Sequence, residues 1–167
     1  MTSSVTVKYV RGSTYVKNEY STGQGGTAVA HGLVGELWVH GLMFDTIERM
    51  DGYMHMQGGK TYRNSSMYWF GKYGAYVINP WLGKAAEATK KNILFHPANY
   101  PSHLEGCVSL GFLNPQGVLE QSKYSLDVVW EQCGGRPGAK SGQIVMTLAV
   151  EGDMRAKSAC TPWTYTG

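Results

Sequence analysis

The strongest constraint on this chain is a pair of strand-like segments with almost nothing between them. Glu36-Leu37-Trp38-Val39-His40 and Leu42-Met43-Phe44-Asp45-Thr46-Ile47-Glu48 are separated by a single glycine, Gly41. Short runs rich in apolar and aromatic residues, joined that tightly at a glycine, have the chemistry of an antiparallel hairpin. The chain opens on the same period of two, with Val5, Val7 and Tyr9 on one face and Thr6, Lys8 and Val10 on the other. Residues 28–34, 67–70, 75–78, 92–96 and 143–150 are further strand candidates, and the glycine-rich run 21–27 reads as a loop.

Only one segment has convincing helical spacing. Over residues 122–133, Leu126, Val129 and Trp130 recur on one face, Ser122 is the expected N-cap and Gly134-Gly135 the stop. A short helical turn is also expected over 85–91. With 22 glycines, 11 tyrosines and 5 tryptophans in 167 residues, the balance favours turns and strands. The expected fold is therefore mainly β, a small antiparallel sandwich or partly open barrel with one helix in the C-terminal half. At this length the chain reads as one domain over 1–167, able to bury a core without staples.

Charge and cysteine content narrow the function classes. Fifteen basic and twelve acidic residues give a net charge of +3 and are scattered rather than gathered, so the footprint of a nucleic-acid binder is missing. No apolar run approaches the roughly 18 residues of a membrane span. Residues 1–14 hold no apolar block behind a basic start, so no membrane partner and no secretory signal are expected, and the expected location is the cytoplasm. Cys107, Cys133 and Cys160 include no Cys-x-x-Cys pair, which argues against a disulfide framework or a zinc knuckle and leaves at least one thiol free.

Reactive side chains concentrate in one stretch, Phe95-His96-Pro97-Ala98-Asn99-Tyr100-Pro101-Ser102-His103-Leu104-Glu105-Gly106-Cys107. A thiol becomes a nucleophile as its thiolate and needs a base or a positive neighbour, a role open to His96 or His103. Gly106 permits close approach of a carbonyl to the backbone, so the N–H groups around Gly106 and Cys107 are candidates for an oxyanion hole. The bland alternative is a packed cysteine, since free cysteine is among the most buried residue types.

His96-x-x-Asn99 followed by Gly106-Cys107-Val108 resembles a family of small domains of bacteria and their phages, whose motif runs His-x-Gly-Asn, Asp-Thr, Gly-Cys-Ile. That family is in turn distantly similar to the L,D-transpeptidase (YkuD-type) catalytic domain, in which a histidine precedes Ser/Thr-His-Gly-Cys. The hairpin segments Gly35–Gly41 and Asp45–Glu48 look like the family's opening, and Gly59-Lys60-Thr61-Tyr62 resembles its Pro-x-Gly-Thr-Tyr segment, so the likeness covers about residues 27–133. Ala98 stands where the family has glycine, and His103-Leu104 where it has Asp-Thr. The resemblance implies Cys107 as nucleophile and His96 as base, with Gly106, Asn99, Ser102 and His103 as further site candidates and no cofactor.

Other signals are weaker. Gly58-Gly59-Lys60-Thr61 mimics the end of a phosphate-binding loop, but Met54 stands at its first glycine position. Asn64-Ser65-Ser66 matches a glycosylation sequon and reads as a surface loop; His31, His40 and His55 lack metal-ligand spacing. The five tryptophans read as core or half-buried strand residues, with an exposed subset able to stack on sugars. Two functions follow as expectations. The first is cysteine-dependent acyl transfer or amide hydrolysis on peptidoglycan stem peptides or a related amide. The second is a non-catalytic phage virion or host-interaction protein, located in the virion or the host, on the same scaffold.

Overall fold

The computed structural model describes residues 5–81 and 93–167. The expected short helical turn at 85–91 lies outside them. Nine strands form a mixed sheet: β1 (Thr6–Ser21), β2 (Thr27–Val39), β3 (Leu42–Arg49), β4 (Thr61–Phe70), β5 (Ala75–Asn79), β6 (Val108–Leu113), β7 (Leu119–Glu120), β8 (Gln143–Glu151) and β9 (Thr161–Pro162). Among the described residues there is one α-helix, α1 (Ser122–Gln132), which precedes β8. The strand order is β5-β4-β8-β1-β2-β3-β6-β7, with β9 set against β1.

The fold is mainly β with one C-terminal-half helix, as expected. Two pairings refine the expected antiparallel arrangement: β1 runs parallel to β8 and to β9. Those pairings join segments far apart in sequence, where hairpin signals have no reach. The β2–β3 hairpin forms as expected, with Val39 opposite Leu42 and both His40 and Gly41 at positive φ (48° and 78°), the requirement of a tight hairpin turn of the primed type. The candidate strand at 28–34 and the segment 36–40 merge into β2. Asn64-Ser65-Ser66 lies within β4, not in a surface loop: both serines are buried and pair with β8, while Asn64 is exposed at the register shift just before them.

β5 and most of β6 are buried on both faces, whereas β1 and β8 alternate between buried and more exposed positions, and alternation sorts the buried side chains between two apolar clusters. Tyr76, Ile78, Phe95, Val108 and Leu110 join Leu126, Val129 and Trp130 of α1 in one. Tyr68, Val77, Leu94, Leu104 and Cys107 belong to the other. Among the described residues, a single one spans the sheet between β5 and β6. Phe95 bridges antiparallel to Ile78 on one side and parallel to Val108 on the other, through Phe95 N–H to Ile78 O (2.9 Å), His96 N–H to Val108 O (2.9 Å) and Val108 N–H to Leu94 O (3.0 Å). α1 packs against β5 and β6 on either side of this seam.

Beside the first half of β1, a fully buried carboxylate organises the chain. Glu48 accepts from Arg11 Nε (2.8 Å) and Nη2 (3.1 Å) and from the Tyr9 hydroxyl (2.6 Å). His55 Nδ1 stands 3.3 Å away, and Arg11 also donates to the carbonyls of Met56 and Gly152. Burial by itself pushes the Glu48 carboxyl up, but the His55 and Arg11 contacts and the guanidinium charge outweigh it and hold it below the ordinary glutamate value. Replacing Glu48 by Ala leaves Arg11 buried and unpaired, so Glu48→Ala is expected to cost about 3–5 kcal/mol in urea unfolding. Because its folded pKa is depressed, the wild-type contribution is complete above the unfolded glutamate pKa of about 4.3. It is lost as pH falls through the lower folded value, which stability measured against pH from neutral downward will show.

Candidate functional site

The seam places the reactive stretch. Residues 94 and 96 share one face of their segment, Leu94 stands opposite Cys107, and His96 stands opposite Ser109. His96 and Cys107 are therefore diagonal neighbours on the same face, a separation of about 7–8 Å for such positions in paired strands and somewhat less between Cβ atoms. Their side chains must lean together, or tighten around a substrate, to exchange a proton directly. Both are buried, with 3% of His96 and 6% of Cys107 exposed.

His96 Nδ1 lies 3.0 Å from the Pro97 carbonyl. A carbonyl only accepts, so Nδ1 carries the proton and Nε2 keeps its lone pair. Burial, the largest influence, and the charge of Lys72 push the imidazole below its ordinary pKa, against the Pro97 hydrogen bond and the charge of Glu105. Cys107 is pushed up, chiefly by burial and further by Glu105, against backbone hydrogen bonds at Leu94 and Glu105 and the charge of Lys72. Near neutral pH the resting pair is an uncharged thiol and an uncharged imidazole. That combination suits general-base catalysis, in which the thiol proton leaves as sulfur attacks, rather than a preformed thiolate.

Tyr73, in the turn between β4 and β5, covers His96. Their rings stack at 4.1 Å and 7°, and Cys107 and Glu105 raise the Tyr73 hydroxyl pKa after burial. Above them opens a cleft of about 540 Å³ whose walls include Lys72, Tyr73, Pro97, Asn99, His103 and Lys123. His96 and Cys107 lie behind this lining rather than in it.

The other expected site residues divide by role. Gly106 adopts φ +81°, and a Cβ there would stand 3.0 Å from the Tyr53 Cβ, so both backbone and space require glycine. Asn99 Nδ2 donates to Leu119 O at 2.6 Å while Leu119 N–H donates to Asn99 O, tying the cleft wall to β7. Ser102 is tied to β1 through Asn18, whose Nδ2 donates to Ser102 Oγ at 2.7 Å and whose Oδ1 accepts from Ser102 N–H. His103 is exposed on the cleft wall, edge-on to Tyr100. Ser122 is the first helical residue; Gln121, at φ 57°, occupies the N-cap position. The Ser122 hydroxyl is instead 2.7 Å from Ser109 Oγ, which also bonds both the N–H and the carbonyl of Ala98.

Sequence reading missed Lys72, Tyr73 and Ser109. Ser109 was findable, two residues beyond Cys107 on the same strand face, whereas nothing local marks Lys72 or Tyr73. Among the described residues, no group of three or more His, Cys, Asp or Glu side chains is placed to hold a metal. The three cysteines are free thiols. No helix among the described residues is long and apolar enough to cross a membrane. No protein-family model, curated protein or solved structure matches the chain.

The burial pattern sets an order of reactivity. In the folded protein at neutral pH, iodoacetamide should modify the half-exposed Cys160 first. Cys133, whose thiol burial pushes up to about 12, should react last. Tyr73→Ala should accelerate alkylation of Cys107 several-fold without changing Cys133, read by peptide mass spectrometry. Equal Cys107 rates in both proteins would show that Tyr73 does not control access.

Proposed function

We propose that the chain is a cysteine-dependent acyl-transfer enzyme acting on an amide of a peptide substrate, in the manner of the L,D-transpeptidases that its His96…Gly106-Cys107 motif resembles. The observation that carries this reading is the placement of His96 and Cys107 on one face at the seam, with His96 Nε2 left as a free base by the Nδ1–Pro97 hydrogen bond. In the proposed reaction Cys107 Sγ bonds to the carbonyl carbon as His96 Nε2 takes the thiol proton. The amide C–N bond then breaks, the proton passes to the leaving amine, and a thioester remains. Water or a second amine takes the acyl group from sulfur, giving hydrolysis or transpeptidation, and peptidoglycan stem peptides are the proposed substrate class. Gly106, at φ +81° directly before Cys107, supports the reading as a motif position that its backbone conformation reserves for glycine.

A second reading, a non-catalytic virion or host-interaction protein, is favoured by one specific observation. Both reactive side chains are almost completely buried, and burial raises the Cys107 thiol pKa. Incubation with a tetrapeptide muropeptide, followed by intact mass, separates the two. The enzyme reading expects an acyl adduct on Cys107, loss of turnover in Cys107→Ala to background, and a fall in turnover of about 10²–10⁴-fold in His96→Gln. Persistence of turnover in Cys107→Ala would eliminate this mechanism. Absence of any adduct, even in the Tyr73→Ala protein, would favour the binding reading.

A further inference from the structure

A second cavity lies at the C-terminal half of α1, with a volume of about 340 Å³ and walls that include Trp69, Tyr76, Asp127, Trp130, Glu131 and Lys140. Its floor is a continuous aromatic stack. Tyr76 lies flat against Trp130 at 4.3 Å and 9°, and Trp69 meets Tyr76 edge-on at 5.2 Å. The loop after α1 holds this stack rigid: Trp130 Nε1 donates to Arg136 O and the Tyr76 hydroxyl to Ala139 O, each at 2.8 Å. Gly135 lies so close to the Trp130 ring that an added Cβ would overlap it.

That loop ends by placing the Lys140 ammonium 4.7 Å over the Trp69 ring, within cation–π range. Two carboxylates share the cavity. Asp127 and Glu131 are one helical turn apart, exposed, and engaged in no ion pair among the described residues. Asp127 is held above its ordinary value, by burial first and then by the Glu131 charge. Neither carboxylate serves the helix. Like charges four residues apart destabilise it, and negative charge toward its C-terminal end opposes its dipole.

We infer that this cavity is a binding site for a lysine side chain presented by a partner peptide, occupied in the free protein by the chain's own Lys140 in cis. The aromatic face takes the ammonium, and Asp127 and Glu131 supply the complementary charge that no ion pair among the described residues satisfies. Lys140 is exposed, so an incoming lysine competes with a tethered but solvent-accessible occupant. The site is separate from His96 and Cys107, and the inference does not depend on the acyl-transfer reading.

Titration with Nα-acetyl-lysine amide, followed by the Trp69 indole Nε1–H signal in NMR, tests this, with Nα-acetyl-norleucine amide as the uncharged analogue. The lysine probe should shift the indole signal and the norleucine probe should not. Lys140→Gln removes the internal competitor and should tighten binding several-fold, whereas Asp127→Asn with Glu131→Gln should weaken it by a similar factor without lowering Tm. Equal response to both probes, unchanged affinity in Lys140→Gln, or a lowered Tm in the carboxylate variant would overturn the proposal. The last result would mark the two carboxylates as structural.

Discussion

Glu48 is the residue on which the placement of β1 against its neighbours depends. It is a carboxylate with no exposed surface, and an isolated charge in such a place would be prohibitively desolvated. Arg11 answers it with a two-point contact, Tyr9 adds a short hydrogen bond, and Arg11 spends its remaining donors on the carbonyls of Met56 and Gly152. The register shift in β1 between Arg11 and Tyr15 begins at the arginine that reaches this network. The network thus fixes β1, β3, the loop that carries His55 and Met56, and the end of β8 relative to one another. With Tyr9 buried against both Glu48 and Phe95, the same network also touches the seam.

Phe95 is the residue at that seam. Its ring meets Tyr9 edge-on at 5.4 Å inside the helix-covered cluster, and among the described residues its backbone is the one rung between β5 and β6. Because alternate residues face opposite ways, anchoring Phe95 inward turns Leu94 and His96 to the other face, where Cys107 lies. Packing of an apolar side chain therefore sets the orientation of a titratable one. Ser109 completes the arrangement by pinning Ala98 and the first residue of α1, so the cleft wall and the helix start move with the seam.

What was legible in the sequence follows from range. The β2–β3 hairpin is encoded by adjacent residues, with Gly41 accepting the positive φ, and α1 by three apolar residues at helical spacing; both form where expected. The loop glycines at 21–27 likewise turn β1 into β2. The parallel pairing of β1 with β8 is not encoded locally, because it depends on which distant strand shares the buried face. Glu48 illustrates the same limit for chemistry: in an alternating strand it reads as a polar residue like any other, and only the arrival of Arg11 from 37 residues away makes burial tolerable. Tyr73 over His96 and Ser122 bonded to Ser109 in place of a cap are products of tertiary contact as well. The motif brought His96, Gly106 and Cys107 into view, but their burial and proton placement come from neighbours the motif does not contain.

The charges of α1 tie the two cavities together. A helix placed for stability alone has acidic residues in its first turn and basic ones in its last, and α1 has neither. Lys123 stands at its start, beside the cleft that Lys72 also lines, while Asp127 and Glu131 stand toward its end, beside the Trp69–Tyr76–Trp130 stack. What holds the helix is its buried face, Leu126, Val129 and Trp130 against β5 and β6, which leaves the outward face free to carry charge at a modest cost. The result is a surface that is basic at one end and acidic at the other over about 10 Å of helix rise. The helix that packs against β5 and β6 thus carries a charge polarity along its outward face that its own stability does not call for.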